Sequence, residues 1–426
     1  MLLAATALAS QPVLAQEAAG DEPASTPAVA GATAEDAPGP DAVVVDVPLQ
    51  FEEDVPAQEP AREAPSEPLP PLYQPQDELE RGLWMQMDEY ERDLRSSQQI
   101  IDDPELNAYV RSVLCRTVGE AECRNVRLYL MHTPHFNATM APNGVMQIWS
   151  GLLLRTQNEA QLAAVLGHEY GHFENRHSVQ LFRSAKNKSN AASWLALTGI
   201  GLIAAIPLAS SLFSFNREME READLEGLKM MAAAGYDTSE AAVIWEQLND
   251  ELDATRVGRG KKKKKRKTKS GMFATHPPSP QRVEYLREAS RETPGTPGVS
   301  GRADYEAAMA EHWPVFVDDQ LKMNDFGASA FLLDSMAKAQ GWTPWLNYAR
   351  AELYRRRAGS GDLERAVRHY GEGIDAGGEL PELWRGRGLA LKKLDRDEEA
   401  RADLTEYLKR APDASDRGMM EMIAGV

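Results

Sequence analysis

Leu166-Gly167-His168-Glu169-Tyr170-Gly171-His172-Phe173 contains the pattern His-Glu-x-x-His. On a helix, residues i and i+4 lie on one face, so His168 and His172 point at a common ion. Glu169, one residue past the first histidine, reaches a water bound to that ion. Two imidazoles to hold a metal and a carboxylate to take a proton are the parts of a zinc hydrolase. The preceding run, Asn158 to Leu166, sets apolar residues at helical spacing among good helix formers, which places the motif on a helix. A catalytic zinc needs a third protein ligand, often a carboxylate from a separate helix. Asn216-Arg217-Glu218-Met219-Glu220-Arg221-Glu222-Ala223-Asp224 opens such a helix. Glu220 and Asp224 share a face, with Glu218 and Glu222 roughly opposite. Glu220 is therefore the candidate third ligand and Asp224 its expected partner behind the metal. His177, five residues past His172, points off the ligand face and is read as a support.

Upstream, Leu79, Leu83, Trp84, Met87, Tyr90 and Leu94 fall at helical spacing and predict a long amphipathic helix. A second helix is expected after Pro104, with Leu106, Tyr109, Val110, Val113 and Leu114 inward. Val126 to Met131 alternates like a strand. Phe136 to Ala141 and Val145 to Trp149 flank Pro142-Asn143-Gly144 and read as a β-hairpin. The two cysteines of the chain, Cys115 and Cys123, are too few for a cysteine-based zinc site. They are expected to pair as a disulfide in an oxidising compartment.

Downstream, Ala191 to Phe215 carries no charge and is mostly apolar. Its length permits a membrane span, while its Gly, Ala and Ser content and Pro207 fit a buried helical hairpin or a membrane-touching flap as well. Lys261-Lys262-Lys263-Lys264-Lys265-Arg266-Lys267-Thr268-Lys269 predicts a solvated loop, with anionic lipid headgroups or the protein's own acidic tail as alternative partners. His276 stands before Pro277-Pro278, in a locally stiff segment. Catalytic zinc keeps a position for water, and His276 in that position would act as a gate. From about Gly301 the chain is helical and repetitive. Trp384, Gly388, Leu391, Ala400, Leu404 and Pro412 match tetratricopeptide spacing, and Trp345, Ala366, Tyr370 and Pro381 match a preceding repeat with a longer internal turn.

The 426 residues suggest two or three domains, and the formal charge is −18. Residues 16 to 70 hold thirteen Asp/Glu and one Arg, so the acidity belongs mainly to one Pro/Ala-rich segment and nucleic acid is not an expected partner. Residues 1–15 end in Val13-Leu14-Ala15 and resemble a secretory signal peptide, although no basic residue precedes Arg62. The expected organisation is a signal over 1–15, a disordered linker over 16–76, a peptidase domain over 77–300 and a repeat domain over 301–426.

The metal helix, Glu220-x-x-x-Asp224 and His276-Pro277 together resemble the HtpX/CaaX-protease family of zinc metallopeptidases, in particular its periplasmic type with C-terminal tetratricopeptide repeats. The resemblance covers roughly residues 77 to 412. It is carried most specifically by Phe136-Asn137-Ala138 with Pro142-Asn143-Gly144, by the metal motif, by Arg176-His177 and by Glu220-Arg221-Glu222-Ala223-Asp224. It implies a mostly helical α+β fold: a gluzincin domain with a small antiparallel sheet, then an α-solenoid of repeats. It also implies one Zn2+ per chain on His168, His172 and Glu220, with Glu169 as catalytic acid/base and His276 able to close onto the zinc. The strand Val145, Met146, Gln147, Ile148 and Trp149 is expected to be an edge that holds substrate as an added strand. The expected function is that of a periplasmic zinc endopeptidase, soluble or in contact with a membrane surface. Its expected partners are unfolded or misassembled envelope proteins and, through the repeats, the outer-membrane assembly machinery. A chaperone or assembly scaffold with little proteolysis, and an integral membrane protease, are the alternatives.

Overall fold

The computed structural model describes residues 74–188, 215–262, 276, 279–293 and 298–426. The expected signal, the linker up to residue 73, the apolar run over 191–214 and the lysines from residue 263 onward lie outside the described residues. Short polar residues start the helices that the periodicity predicts. Asp77 accepts from the Glu80 amide at the start of α1 (Glu78–Arg95), and Asp103 with Pro104 starts α2 (Pro104–Val118). The short α3 (Glu120–Cys123) is tied back to α2 by the expected Cys115–Cys123 disulfide.

The sheet comprises β1 (Arg127–Met131), β2 (Ala138–Met140) and β3 (Val145–Trp149). β2 and β3 form the anticipated hairpin, with Ala138 opposite Ile148 and Met140 opposite Met146. Its turn uses Gly144 at φ +91°, where a Cβ would stand 2.8 Å from the Asn125 carbonyl oxygen. β1 runs parallel to β3, with Arg127 opposite Val145, so the order is β1-β3-β2. Two expectations are corrected here. The sheet is mixed, not antiparallel. Val145, Met146, Gln147, Ile148 and Trp149 form its middle strand, not an edge, because β1 and β2 already occupy both hydrogen-bonding sides; all five residues are buried. Among the described residues, the edge on the side of the metal helix that no strand pairs belongs to β2. α1 covers one face of the sheet: Tyr90 and Leu94 pack with Tyr129, Met131, Val145 and Trp149, and Arg127 donates twice to the buried Glu91.

α4 (Ser150–Arg155) leads into α5 (Glu159–Glu174), which Asn158 caps by accepting from the Gln161 amide at 2.8 Å. α5 is buried from Glu159 to His172, so it behaves as a core helix and not as a surface one. α6 (His177–Lys188), α7 (Arg217–Ala233), α8 (Glu240–Gly258) and α9 (Pro280–Glu292) surround it. α5 and α7 cross almost backbone to backbone. A Cβ on Gly167 would lie 3.1 Å from Gly227 Cα, one on Gly171 3.0 Å from the Ala223 oxygen, and one on Gly227 3.0 Å from the His168 nitrogen. This approach brings the motif of α5 within reach of the carboxylates of α7.

The chain continues through α10 (Arg302–Met309), α11 (Trp313–Lys322), α12 (Phe326–Gln340) and α13 (Pro344–Arg357). It ends with α14 (Asp362–Asp375), α15 (Pro381–Lys393), α16 (Asp397–Arg410) and α17 (Arg417–Ala424). One hydrophobic core runs from Leu106 to Leu353 without a break at residue 300; Tyr305, Met309 and Trp313 share it with Leu162 and Leu166. The buried Arg155 guanidinium reinforces that continuity by donating to Glu251 at 2.7 Å and to Gln320 at 2.8 Å. A second core, from Ala351 to Ala424, lies among α13 to α17. There α13 packs on α14 and α15 on α16, and Gly388 admits Leu404, whose Cγ would be 2.9 Å from an added Cβ. Among the described residues no helix is long and apolar enough to cross a membrane.

Candidate metal centre

Ligand-type atoms of His168, His172, Glu220 and His276 lie within 4.8 Å of one another, all on buried residues. The spacing of α5 supplies the two imidazoles, whose Nε2 atoms are 3.1 Å apart. α7, capped by Asn216, delivers Glu220 in its first turn. Glu220 Oε1 is 3.4 Å from His172 Nε2 and 2.9 Å from His276 Nδ1, and His276 Nδ1 is 3.0 Å from His168 Nε2. Glu169 approaches the group from its own side, with Oε1 3.4 Å from His276 Nε2.

The supports decide which nitrogens are free. His168 Nδ1 donates to Asp224 Oδ1 at 2.8 Å. His177 Nε2 donates to Glu222 at 3.2 Å, which leaves its Nδ1 to accept from His172 Nδ1 at 2.8 Å. With both protons committed to Nδ1, the Nε2 lone pairs of His168 and His172 face each other. Two lone pairs at that distance repel unless a cation lies between them. Among the described residues Glu220 Oε2 is buried without a hydrogen bond, 3.1 Å from Arg282 Nη1. Imidazole nitrogens and one carboxylate converging this closely form a donor set that fits a divalent metal.

Electrostatics follow from burial. Loss of solvent pushes the Glu169 carboxyl above its ordinary range, against the pull of His276 and His168. Burial holds His172 well below the usual imidazole value, which keeps it neutral. Burial also pushes Asp224 up, but Arg282 and His168 outweigh it and hold that carboxyl at about 2. Burial acts the same way on Glu220, and His276 and Arg282 keep it well below the carboxylate range.

Each residue anticipated at the centre is present there, with one difference of role. Asp224 stands behind His168, not behind Glu220 as expected, because one helical turn along α7 carries it past the crossing point to the Nδ1 side of that imidazole. The strand expected to line the site as an edge is interior, as described above. Sequence reasoning did not single out Arg282, Trp245, Tyr285 or Phe215. Arg282 donates from Nε and Nη2 to the two oxygens of Asp224 at 2.8 and 2.6 Å, and its Cζ sits 3.5 Å above the Trp245 ring. Tyr285 also donates to Asp224, and the Phe215 ring stacks on His172 with centroids 3.9 Å apart. Arg282 had one weak signal: it is a cation in the first turn of α9, where the helix dipole disfavours one.

Residues 102–290 match Peptidase family M48. A β-barrel assembly-enhancing protease of Escherichia coli is 30% identical over 190 residues, 41% of this chain and 39% of that protein. A Vibrio cholerae protein provisionally given the same name is 27% identical over 285 residues, 63% of this chain and 55% of that protein. The mitochondrial metalloendopeptidase OMA1 of Schizosaccharomyces pombe is 31% identical over 213 residues, 49% of this chain and 58% of that protein. The chain thus spans about half the length of the curated relatives it matches.

Proposed function

With residues 102–290 a Peptidase family M48 metallopeptidase domain, we propose that this chain is a zinc-dependent endopeptidase of the cell envelope that acts on misfolded or stalled outer-membrane proteins. The observation that carries the reading is the convergence of His168, His172 and Glu220 from two crossing helices, with Glu169 beside them. A zinc ion held there supplies Lewis-acid polarisation of a peptide carbonyl and an acidified water. Glu169 accepts a proton at its buried carboxylate and returns it to the departing amine. Asp224 and His177 hold the two imidazoles in the tautomer that leaves Nε2 free. An extended substrate segment pairs with the free side of β2.

The relatives named for enhancing β-barrel assembly support an envelope substrate, and the Ala15 cleavage pattern supports export to the periplasm. The helix pairs α13–α14 and α15–α16 support a tetratricopeptide surface for partner proteins, the outer-membrane assembly machinery among them. The test is Glu169→Gln, which removes the base but no ligand. It should retain the wild-type zinc content and lose hydrolysis of unfolded casein by about 100-fold or more. A Gln variant that hydrolyses casein at the wild-type rate would refute the role of Glu169.

A further inference from the structure

Arg282 reaches two carboxylates and one imidazole of the metal centre. Its Nε and Nη2 hold both oxygens of Asp224, and Nη2 meets His168 Nδ1 at that carboxylate, 3.0 Å away. Its remaining nitrogen, Nη1, is buried without a hydrogen bond and lies 3.1 Å from Glu220 Oε2, itself buried without one. The two are each other's nearest unsatisfied complement. Glu220 therefore turns Oε1 toward His172 and His276, at 3.4 and 2.9 Å, and Oε2 toward the guanidinium. The Trp245 ring under Cζ stops the fork from tilting. Only the planar fork of an arginine reaches two carboxylates on one helix this way; a lysine offers a single charged point.

We propose that Arg282 is a positioning residue that holds Glu220 Oε2 and so makes Glu220 a one-oxygen ligand of the metal. The inference rests on the metal-site reading above. Without that grip Glu220 swings to offer both oxygens, and the ion gains a protein donor at the place where water or a carbonyl oxygen must enter. Arg282 acts through Glu220 and, through Asp224, on His168, whose Nε2 lies 3.3 Å from Nη2.

The test is Co2+ uptake by the full chain, followed by visible absorption and by competition with a chelator, for wild type, Arg282→Lys and the double variant Arg282→Met/Asp224→Asn. The double variant removes both members of a buried charge pair. The amide oxygen that Asp224→Asn introduces still accepts from His168, so charge balance is kept while the grip on Glu220 is lost. Wild type should give the intense band of four-coordinate Co2+. Both variants should melt near the wild-type temperature and give the weaker band of a higher coordination number. With casein, kcat should fall while KM stays. A wild-type spectrum in either variant would overturn the proposal, and a wild-type spectrum in the double variant alone would reduce Arg282 to a counter-charge. A wild type that binds Co2+ but leaves casein intact would refute the protease reading and not this one, whereas a wild type that takes up no Co2+ would refute the metal site and this inference with it.

Discussion

His276 is the residue with the most consequence for regulation. It brings a fourth ligand-type atom into the group formed by His168, His172 and Glu220. Closed sites with four protein ligands are typical of structural zinc, and an open position is typical of catalytic zinc. We infer that His276 in this position keeps the peptidase latent. On that reading His276→Ala raises casein hydrolysis several-fold at an unchanged melting temperature. Equal or lower hydrolysis at equal stability would rule the gate out. The residue scale was also the most legible. His168, Glu169 and His172 follow from one short pattern, and Glu220 from the need for a third donor on another helix. Arg282 and the partner of Asp224 were not legible, because they depend on how far α7 and α9 advance past α5, and no local spacing encodes that advance.

At the scale of elements, the crossing of α5 and α7 builds the site. Gly167, Gly171 and Gly227 let the backbones approach to a distance at which any side chain would push them apart. A Cβ on Gly227 must displace the His168 backbone, so Gly227→Ala should cost about 1–3 kcal/mol, and Gly227→Val more, with metal affinity falling in the same order. Gly82 on α1 makes the contrast, since an added Cβ there meets nothing within 4 Å. Gly82→Ala should be neutral or stabilising by up to about 1 kcal/mol. Thermal melts with Co2+ titrations on the three variants check this, and a Gly227→Val protein with wild-type stability and affinity would contradict it. The hairpin of β2 and β3 was legible from Pro142-Asn143-Gly144 because a turn is local. The parallel pairing of β1 with β3 was not, because it is made between segments that no tight turn connects. The near-continuous apolar run Val145-Met146-Gln147-Ile148-Trp149 was the one sign that this strand is covered on both faces.

For the whole molecule, the sequence divides the chain at the onset of the repeats, whereas the core passes that point and reaches Leu353. Helical periodicity reports which face of a helix is buried and not which neighbour buries it, so the helical stretch from Gly301 reads as one with the repeats while the apolar faces of α10 to α12 pack with the core that contains the metal helix. The second core, from Ala351 onward, is a separate set of side chains. This arrangement makes the central claim a property of the full chain: one ion per molecule, held by residues of α5 and α7, is what hydrolysis requires. The direct measurement is the zinc content of the purified full chain, with casein hydrolysis followed through removal of metal by a chelator and its return by stoichiometric Zn2+. The account predicts one zinc per chain, loss of hydrolysis on removal and recovery on return. Undiminished hydrolysis by the metal-free chain would contradict it.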